Sequence, residues 1–206
     1  MVELLVVITI ILVLAGALVP VGRGMIARAR TLECSKNLRQ IGMASMLYAA
    51  DNQMNLPGTV HQRGSSWTVS LSEILRPYSR EILDFKCPDD SHNSRARTYA
   101  LNDFLTKNPF GADHLDYSIL AKIPRPEATF MFAETAAGHS GDHFHFAPYH
   151  GGRISPAAFE RQVAAGMHGQ KANYLFADGH VESLSRQQTF TRLARVGGGF
   201  VDPSGN

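Results

Sequence analysis

One short segment of the chain collects residue types that can hold a metal ion: His139, Asp142, His143, His145 and His150. If the segment is extended, the side chains of His143 and His145 lie on one face, because side chains alternate along a strand. Imidazole nitrogens combined with a carboxylate suit zinc and similar ions. A metal site at His139, Asp142, His143 and His145 is one interpretation, and a polar surface loop or subunit contact rich in histidine is the other.

Residues that could act in catalysis do not form a recognisable motif. Ser65, Ser66, Asp89, Asp90 and Glu134 lie outside any Ser-His-Asp motif context. No glycine-rich phosphate loop follows a predicted strand. We therefore expect no catalytic residue, no cofactor beyond a possible structural metal ion, and a protein that is not an enzyme.

The last third of the chain carries a hairpin signal. Two β-rich runs, 173–176 and 180–184, flank Ala177-Asp178-Gly179, and such an Asp-Gly pair tolerates the positive φ of a tight turn. We predict a hairpin over residues 172–185 in which Asp178 and Gly179 form the turn. His168 is expected to hydrogen-bond this hairpin, with a calcium or other metal site as the alternative.

Length and composition limit the elements that can position these residues. A chain of 206 residues has room for one domain, or one domain with an appendage, which excludes a large multidomain enzyme. Hydrophobic residues make up 44%, which excludes a disordered chain. The formal net charge of +2 provides no field that would demand nucleic acid, so no specific nucleic-acid partner is expected.

The part after residue 52 has the pattern of a mixed α and β domain. Residues 67–78 predict a short helix with Leu71, Ile74 and Leu75 on one face. No long alternation of strands and helices occurs, so we predict an α+β head over residues 53–206 with an antiparallel sheet. The remaining predicted strands are 98–101, 128–133 and 144–147.

The N-terminus is apolar throughout. From Leu4 to Val19 the one polar group outside the backbone is the Thr9 hydroxyl. A helix that is hydrophobic all round must be buried in lipid or among other helices, and with Met1 and Val2 this run just reaches the lower length limit of a bilayer span. Glu3, at the edge of the run, either pairs with a cation or lies in the headgroup region of the bilayer.

The same helix is predicted to continue to about Ala50. Cys34, Leu38, Ile41, Ser45 and Tyr48 recur at helical spacing and predict one inward face. We therefore divide the chain into a long N-terminal helix, 1–52, with a hydrophobic segment, 1–19, and the head. Because a proline at position 20 cannot donate to the carbonyl of Gly16, we expect a break near residues 16–24, with a stretched or melted segment in an assembled state.

Four segments carry a resemblance to a known family. The segment MVELLVVITIILVLAGALVP resembles the N-terminus of type IV pilins and pseudopilins, with a glutamate, an apolar run, a glycine and a proline. The segments CSKNLRQIGMASMLYAADNQMNLP, FKCP and MHGQKANYLFADGHVESLS are similar to those of planctomycete- and verrucomicrobia-type pseudopilins. His168 and Asp178-Gly179 stand at the spacing of that family's His-x9-Asp-Gly domain.

The resemblance implies a type IV pilin-like fold and a structural subunit of an extracellular helical filament. It implies an inner-membrane precursor that a prepilin peptidase cleaves and methylates. Assembly machinery then adds copies of the subunit to a filament at the cell surface, which serves adhesion, motility, secretion or DNA uptake. A minor pseudopilin of a type II secretion-like system, or a membrane-tethered metal-binding protein or metalloenzyme using His139–His150, are the alternatives. The expected assembly residues are Glu3, Leu4, Leu5, Val6, Val7, Ile8, Ile10, Ile11, Leu12, Leu14, Gly16 and Pro20.

The two cysteines have two interpretations. If the head is exported, Cys34 and Cys87 are an even pair in an oxidising compartment, which predicts a disulfide that ties a loop to the inward face of the helix. Two buried free thiols are the alternative, since cysteine is among the most buried residue types.

Overall fold

The fold is taken from a computed structural model that describes residues 2–59, 70–79, 83–91, 97–107, 116–139, 141–146, 149 and 153–205. Within the first helix, the side chains of residues 17–21 and 23 lie outside this description. The chain combines helices with a four-stranded antiparallel sheet. The predicted α+β class is therefore confirmed.

One long helix forms the N-terminal quarter of the chain. Helix α1 runs without interruption over Val2–Asp51, about 75 Å at about 1.5 Å per residue. The chain then turns through Gln53 and Met54, which both have positive φ. The helix is continuous through residues 16–24, where we expected a break. A proline removes a single amide donor from the ladder, and that loss alone does not interrupt the helix in the single chain. The melted segment in an assembled state stays a prediction.

The sheet is a simple meander. It contains β1 (Tyr99–Leu101), β2 (Phe130–Glu134), β3 (Lys171–Phe176) and β4 (Val181–Ser185), hydrogen-bonded in that order. All three pairings are antiparallel, and a register irregularity lies between Phe130 and Phe132.

Three short helices complete the head: α2 (Leu71–Leu75), α3 (Pro156–Glu160) and α4 (Arg186–Ala194). Ser70 and Ser185 form capping boxes with Glu73 and Gln188, which satisfy amide groups at the starts of α2 and α4. Helix α2 continues as a 3₁₀ turn, Arg76–Tyr78, so the predicted helix 67–78 is present from Leu71 onwards, and Trp67 lies outside the described residues. Further 3₁₀ turns cover Asp103–Leu105 and Leu120–Lys122.

Strands β1 and β2, and β3 beyond Lys171, are buried on both faces, whereas β4 is partly exposed. One face of the sheet packs against α1. Of the predicted inward residues, Cys34, Leu38, Ile41 and Ser45 are fully buried, and Tyr48 is partly buried. The fit is close at Gly42, because a Cβ there would come within 2.9 Å of a Leu175 methyl. The other face covers an aromatic cluster built from Phe104, Phe130, Phe144, Phe146, Phe159, Tyr174, Phe176 and Phe200.

The strand predicted at 144–147 is not a strand in the structure, and Ala147 lies outside the described residues. Phe144 and Phe146 are buried as expected, but their amides donate to different acceptors, the Leu101 carbonyl and the Asp103 carboxylate. Because tertiary contacts satisfy these amides one at a time, no continuous ladder forms.

Candidate assembly surface and buried histidine centre

The N-terminal part of α1 exposes a large apolar surface. We call residues 2–16 the apolar segment. Eleven large side chains in it are between 45% and 74% exposed, whereas the inward face of α1 becomes buried against the head from Cys34 onwards. The exposed side chains are Val2, Leu4, Leu5, Val6, Val7, Ile8, Ile10, Ile11, Leu12, Val13 and Leu14.

The exposed apolar surface surrounds the helix. Successive residues of an α-helix are rotated by about 100°, so the consecutive exposed residues from Leu4 to Ile8 cover its whole circumference. Thr9 interrupts this surface very little, because its hydroxyl donates to the carbonyl of Leu5 in the same helix. A surface of this kind needs apolar partners on several sides.

The remaining members of the expected assembly set are Glu3, Gly16 and Pro20. Glu3 is exposed in the first turn of α1, where the positive end of the helix dipole favours a carboxylate. Gly16 is open, since a Cβ there would meet nothing within 4 Å. Pro20 lies within the helix, and its side chain is outside the description.

Among the described residues, no helix combines the length and the apolarity that crossing a bilayer requires. The predictions of a transmembrane helix and of an inner-membrane precursor with a later extracellular location were therefore wrong.

A second feature lies inside the head, where His168 bridges two carboxylates. Its Nδ1 lies 2.7 Å from Oδ2 of Asp89 and its Nε2 lies 2.6 Å from Oε1 of Glu134. The side chains of His168 and Glu134 are at most 1% exposed. A neutral imidazole carries one N–H, so donation to both carboxylates requires the imidazolium form.

The charges around His168 favour this form. Burial alone would lower the pKa of His168, but the hydrogen bonds and negative charges of Glu134 and Asp89 outweigh it and raise the pKa above its usual value. Asn173 donates its backbone amide and its side-chain amide to Glu134, at 2.9 and 3.1 Å. The guanidinium of Arg30 lies 4.0 Å from Asp89. The buried carboxylate is therefore paired and hydrogen-bonded, as a charge in the interior must be.

Local structure places the imidazole. The backbones of His168 and Lys171 exchange hydrogen bonds across Gly169 and Gln170, both of which have positive φ, and this tight turn leads into β3. Glu134 ends β2, next to β3 in the sheet. His168 thus binds the hairpin through its backbone, while its side chain reaches across to other elements.

The disulfide between Cys34 and Cys87 is confirmed. It joins the inward face of α1 to the loop before β1, with a Cα–Cα distance of 5.0 Å. The hydroxyl of Tyr99 donates to the Cys34 carbonyl, and burial, followed by the charge of Glu134, raises the Tyr99 pKa. The Cys87 Sγ lies 3.7 Å from Nε2 of His168, so the disulfide borders the histidine centre.

The histidine cluster at 139–145 is held by local contacts. The Nδ1 atom of His143 lies 2.7 Å from Asp142, and the Nε2 atom of His139 lies 2.9 Å from the His143 carbonyl. The rings of His143 and His145 meet edge to face, with centroids 4.6 Å apart. His150 is outside the described residues. In the part of the chain that the structure describes, the group of potential ligands whose atoms converge lies elsewhere, at Cys34, Cys87, Glu134 and His168.

The C-terminal hairpin has the geometry that its sequence indicates. Strands β3 and β4 pair around a turn in which Gly179 has a φ of +93°. The Asp178 carboxylate accepts from the amide and the Nδ1 of His180. Asp178 and Gly179 therefore form the turn, and the Asp178 side chain makes its hydrogen bonds within that turn.

Sequence reasoning missed the partners of His168. Asp89 and Glu134 were considered only as members of a hydrolase motif and set aside. They lie 79 and 34 residues from His168 along the chain, so no local spacing connects them. The one available signal was the placement of Asp89 two positions after Cys87.

Comparisons with protein-family models, with curated proteins and with solved structures found no match for this chain. The expectations that depend on pilin membership, including peptidase processing, methylation, adhesion and secretion, have no support from them.

Proposed function

We propose that this chain is a structural subunit with a pilin-like architecture, which assembles with copies of itself into a helical filament through the apolar segment of α1. The observation that carries the proposal is the exposure of large apolar side chains around the whole circumference of residues 2–14. Exposed apolar areas of this size mark interaction surfaces. The role is one of assembly, with no catalytic step.

The distribution of the exposed side chains favours several identical partners. A dimer would cover one side of the helix and leave the others in water, whereas a bundle of parallel helices covers all sides. Copies of the same segment supply the same apolar surface without any other partner. The head remains outside such a bundle, because the disulfide and the stripe from Cys34 to Ser45 hold it on the far half of α1.

Because the head packs on only one half of α1, an open helical assembly is favoured over a closed ring. If each copy sits beside the next with an axial shift, the contact is heterologous, and repetition of a heterologous contact produces a helix unless the rotation closes. Full burial of a large apolar side chain contributes about 1.5–3 kcal/mol, and these side chains are already partly covered. The total gain is on the order of 10 kcal/mol, which is comparable with the cost of association, so assembly should depend on concentration.

Glu3 gives the bundle a preferred register. The Glu3 carboxylate, once surrounded by apolar side chains in the bundle, requires a positively charged group nearby. In a filament, a neighbouring copy supplies that group. The attraction is on the order of 4 kcal/mol at about 4 Å and an intermediate dielectric constant. One axial shift between neighbours is thus favoured over the others.

The test compares two substitutions to aspartate at exposed apolar positions. Leu12 is 69% exposed in the apolar segment and Val196 is 74% exposed on the head. Sedimentation velocity and negative-stain microscopy of the full chain over a concentration series should show elongated assemblies for the wild type and for Val196→Asp, and monomers for Leu12→Asp. Circular dichroism checks that both heads are folded. A wild type that stays monomeric in detergent-free buffer, or assembly of Leu12→Asp at wild-type concentrations, would contradict the proposal.

A further inference from the structure

Four potential metal ligands converge in the interior of the head. The sulfur atoms of Cys34 and Cys87, a carboxylate oxygen of Glu134 and a ring nitrogen of His168 all lie within 4.8 Å of one another, and all four residues are buried. Two thiolates, one imidazole and one carboxylate form a ligand set that suits Zn²⁺ in a closed tetrahedral site. In the oxidised chain the two sulfur atoms are bonded to each other, so the set is complete in the reduced chain alone.

The spacing of the ligand atoms is close to that of a tetrahedral site. Zn–S and Zn–N bonds of about 2.3 and 2.0–2.1 Å place sulfur and nitrogen about 3.5 Å apart. The distance from Cys87 Sγ to His168 Nε2 is 3.7 Å. The Nε2 atom and Oε1 of Glu134, now 2.6 Å apart and joined by a proton, would separate to roughly 3.3 Å when a metal ion replaces that proton.

The groups behind the ligands are arranged as metal sites require. Asp89 accepts from Nδ1 of His168 at 2.7 Å, which directs Nε2 towards the sulfur atoms and forms the carboxylate–histidine pair that orients metal-binding imidazoles. Asn173 donates twice to Glu134, which holds that carboxylate in place. These two contacts are independent of the distances among the ligands.

We propose that the reduced chain binds one Zn²⁺ ion through Cys34, Cys87, Glu134 and His168, with Asp89 and Asn173 as positioning residues. Reduction by a dithiol transfers two electrons and two protons to the disulfide, and the dithiol becomes a cyclic disulfide. Zinc binding then releases the two thiol protons and the Nε2 proton of His168 to solvent. The disulfide and the zinc ion are therefore alternative links between α1 and the Cys87 loop.

The experiment uses the full chain, reduced with dithiothreitol under anaerobic conditions, freed of reductant and titrated with Zn²⁺ or Co²⁺. We expect one equivalent of zinc by elemental analysis. With cobalt we expect a thiolate-to-metal charge-transfer band and the visible bands of a tetrahedral ion. The oxidised chain, treated in the same way, should bind neither ion. Binding of zinc by the oxidised chain, or cobalt spectra without a sulfur band, would overturn the proposal.

Two kinds of variant separate the ligands from the rest of the fold. His168→Gln should lose stoichiometric binding, and Asp89→Asn should weaken binding by about 10–100-fold. The matched control is His180→Gln, because His180 also faces a carboxylate but is 42% exposed at the turn, and its binding should equal that of the wild type. Wild-type affinity in His168→Gln would contradict the assignment.

Folding provides a measurement that does not depend on those variants. Zinc added to the reduced chain should raise its melting temperature, and it should restore the helical circular dichroism if reduction has unfolded the head, because binding to the folded state alone stabilises that state. A reduced chain whose melting temperature is unchanged by excess zinc would overturn the proposal.

Discussion

The imidazole of His168 and the carboxylate of Glu134 meet at 2.6 Å in a place where neither side chain is more than 1% exposed. This contact joins the turn before β3 to the end of β2, and through Asp89 it extends to the loop that carries the disulfide. Two neighbouring interactions therefore stabilise the interior of the head: the ion pairs of His168 and the disulfide.

The first prediction concerns the pH dependence of stability in the oxidised, metal-free chain. The folded pKa of His168 is raised, so its contribution is complete below the unfolded value of about 6.5 and is lost as pH rises through the folded pKa. The free energy of unfolding should fall by up to about 1.4 kcal/mol per pH unit in that window. Urea denaturation at a series of pH values measures it.

Two variants test the origin of this slope. His168→Gln should remove the slope between about pH 6.5 and the folded pKa. His180→Gln, a change at an exposed histidine, should keep it. A slope that survives in His168→Gln would assign the pH dependence to another group.

The second prediction concerns the disulfide. Cys34 and Cys87 close a loop with a sequence separation of 53, and the chain-entropy model gives a contribution of about 4 kcal/mol. In metal-free buffer, the double variant Cys34→Ser/Cys87→Ser should lose about that free energy of unfolding relative to the oxidised wild type. Adding a reductant should destabilise the wild type and leave the double variant unchanged. Equal stability of the two proteins without reductant would contradict a structural role for the bond.

The third prediction concerns the contact between α1 and the sheet. A Cβ at Gly42 would lie 2.9 Å from a Leu175 methyl, so Gly42→Ala should cost about 1–3 kcal/mol through overpacking. Gly24→Ala is the matched control, since a Cβ there meets nothing within 4 Å and alanine favours a helix. Its unfolding midpoint in urea should be unchanged or slightly higher. A neutral Gly42→Ala would show that Leu175 can move aside.

The fourth prediction concerns Glu3 and rests on the proposed filament. Glu3→Gln removes the charge that a neighbouring copy must neutralise. Because desolvation of the carboxylate offsets most of the Coulomb attraction, the concentration for half assembly should rise about tenfold, or about 1.4 kcal/mol. Glu33→Gln is the control, because Glu33 is exposed on the same helix and pairs with Lys36. Light scattering over a dilution series measures both. An equal effect of the two substitutions would indicate general charge screening and no specific contact.

The patterns that sequence analysis interpreted correctly are local. The stripe from Cys34 to Ser45 repeats with the period of a helix and identified its inward face. The Asp178-Gly179 pair indicated a turn because only a few residue types tolerate its dihedral angles. The apolar run was equally evident in the sequence. Hydropathy does not distinguish a helix that contacts lipid from one that contacts other helices, and the transmembrane interpretation was wrong.

By itself, the sequence determined the long helix with its apolar start, the α+β class and the cysteine pair, since each depends on residue type and on spacing over a few turns. The tertiary structure alone decided that His168 meets Asp89 and Glu134 beside the disulfide, and that residues 144–146 satisfy their amides without a strand. The physical reason is distance along the chain: contacts between residues 17 to 81 positions apart exist only once the elements of the head and α1 have packed together.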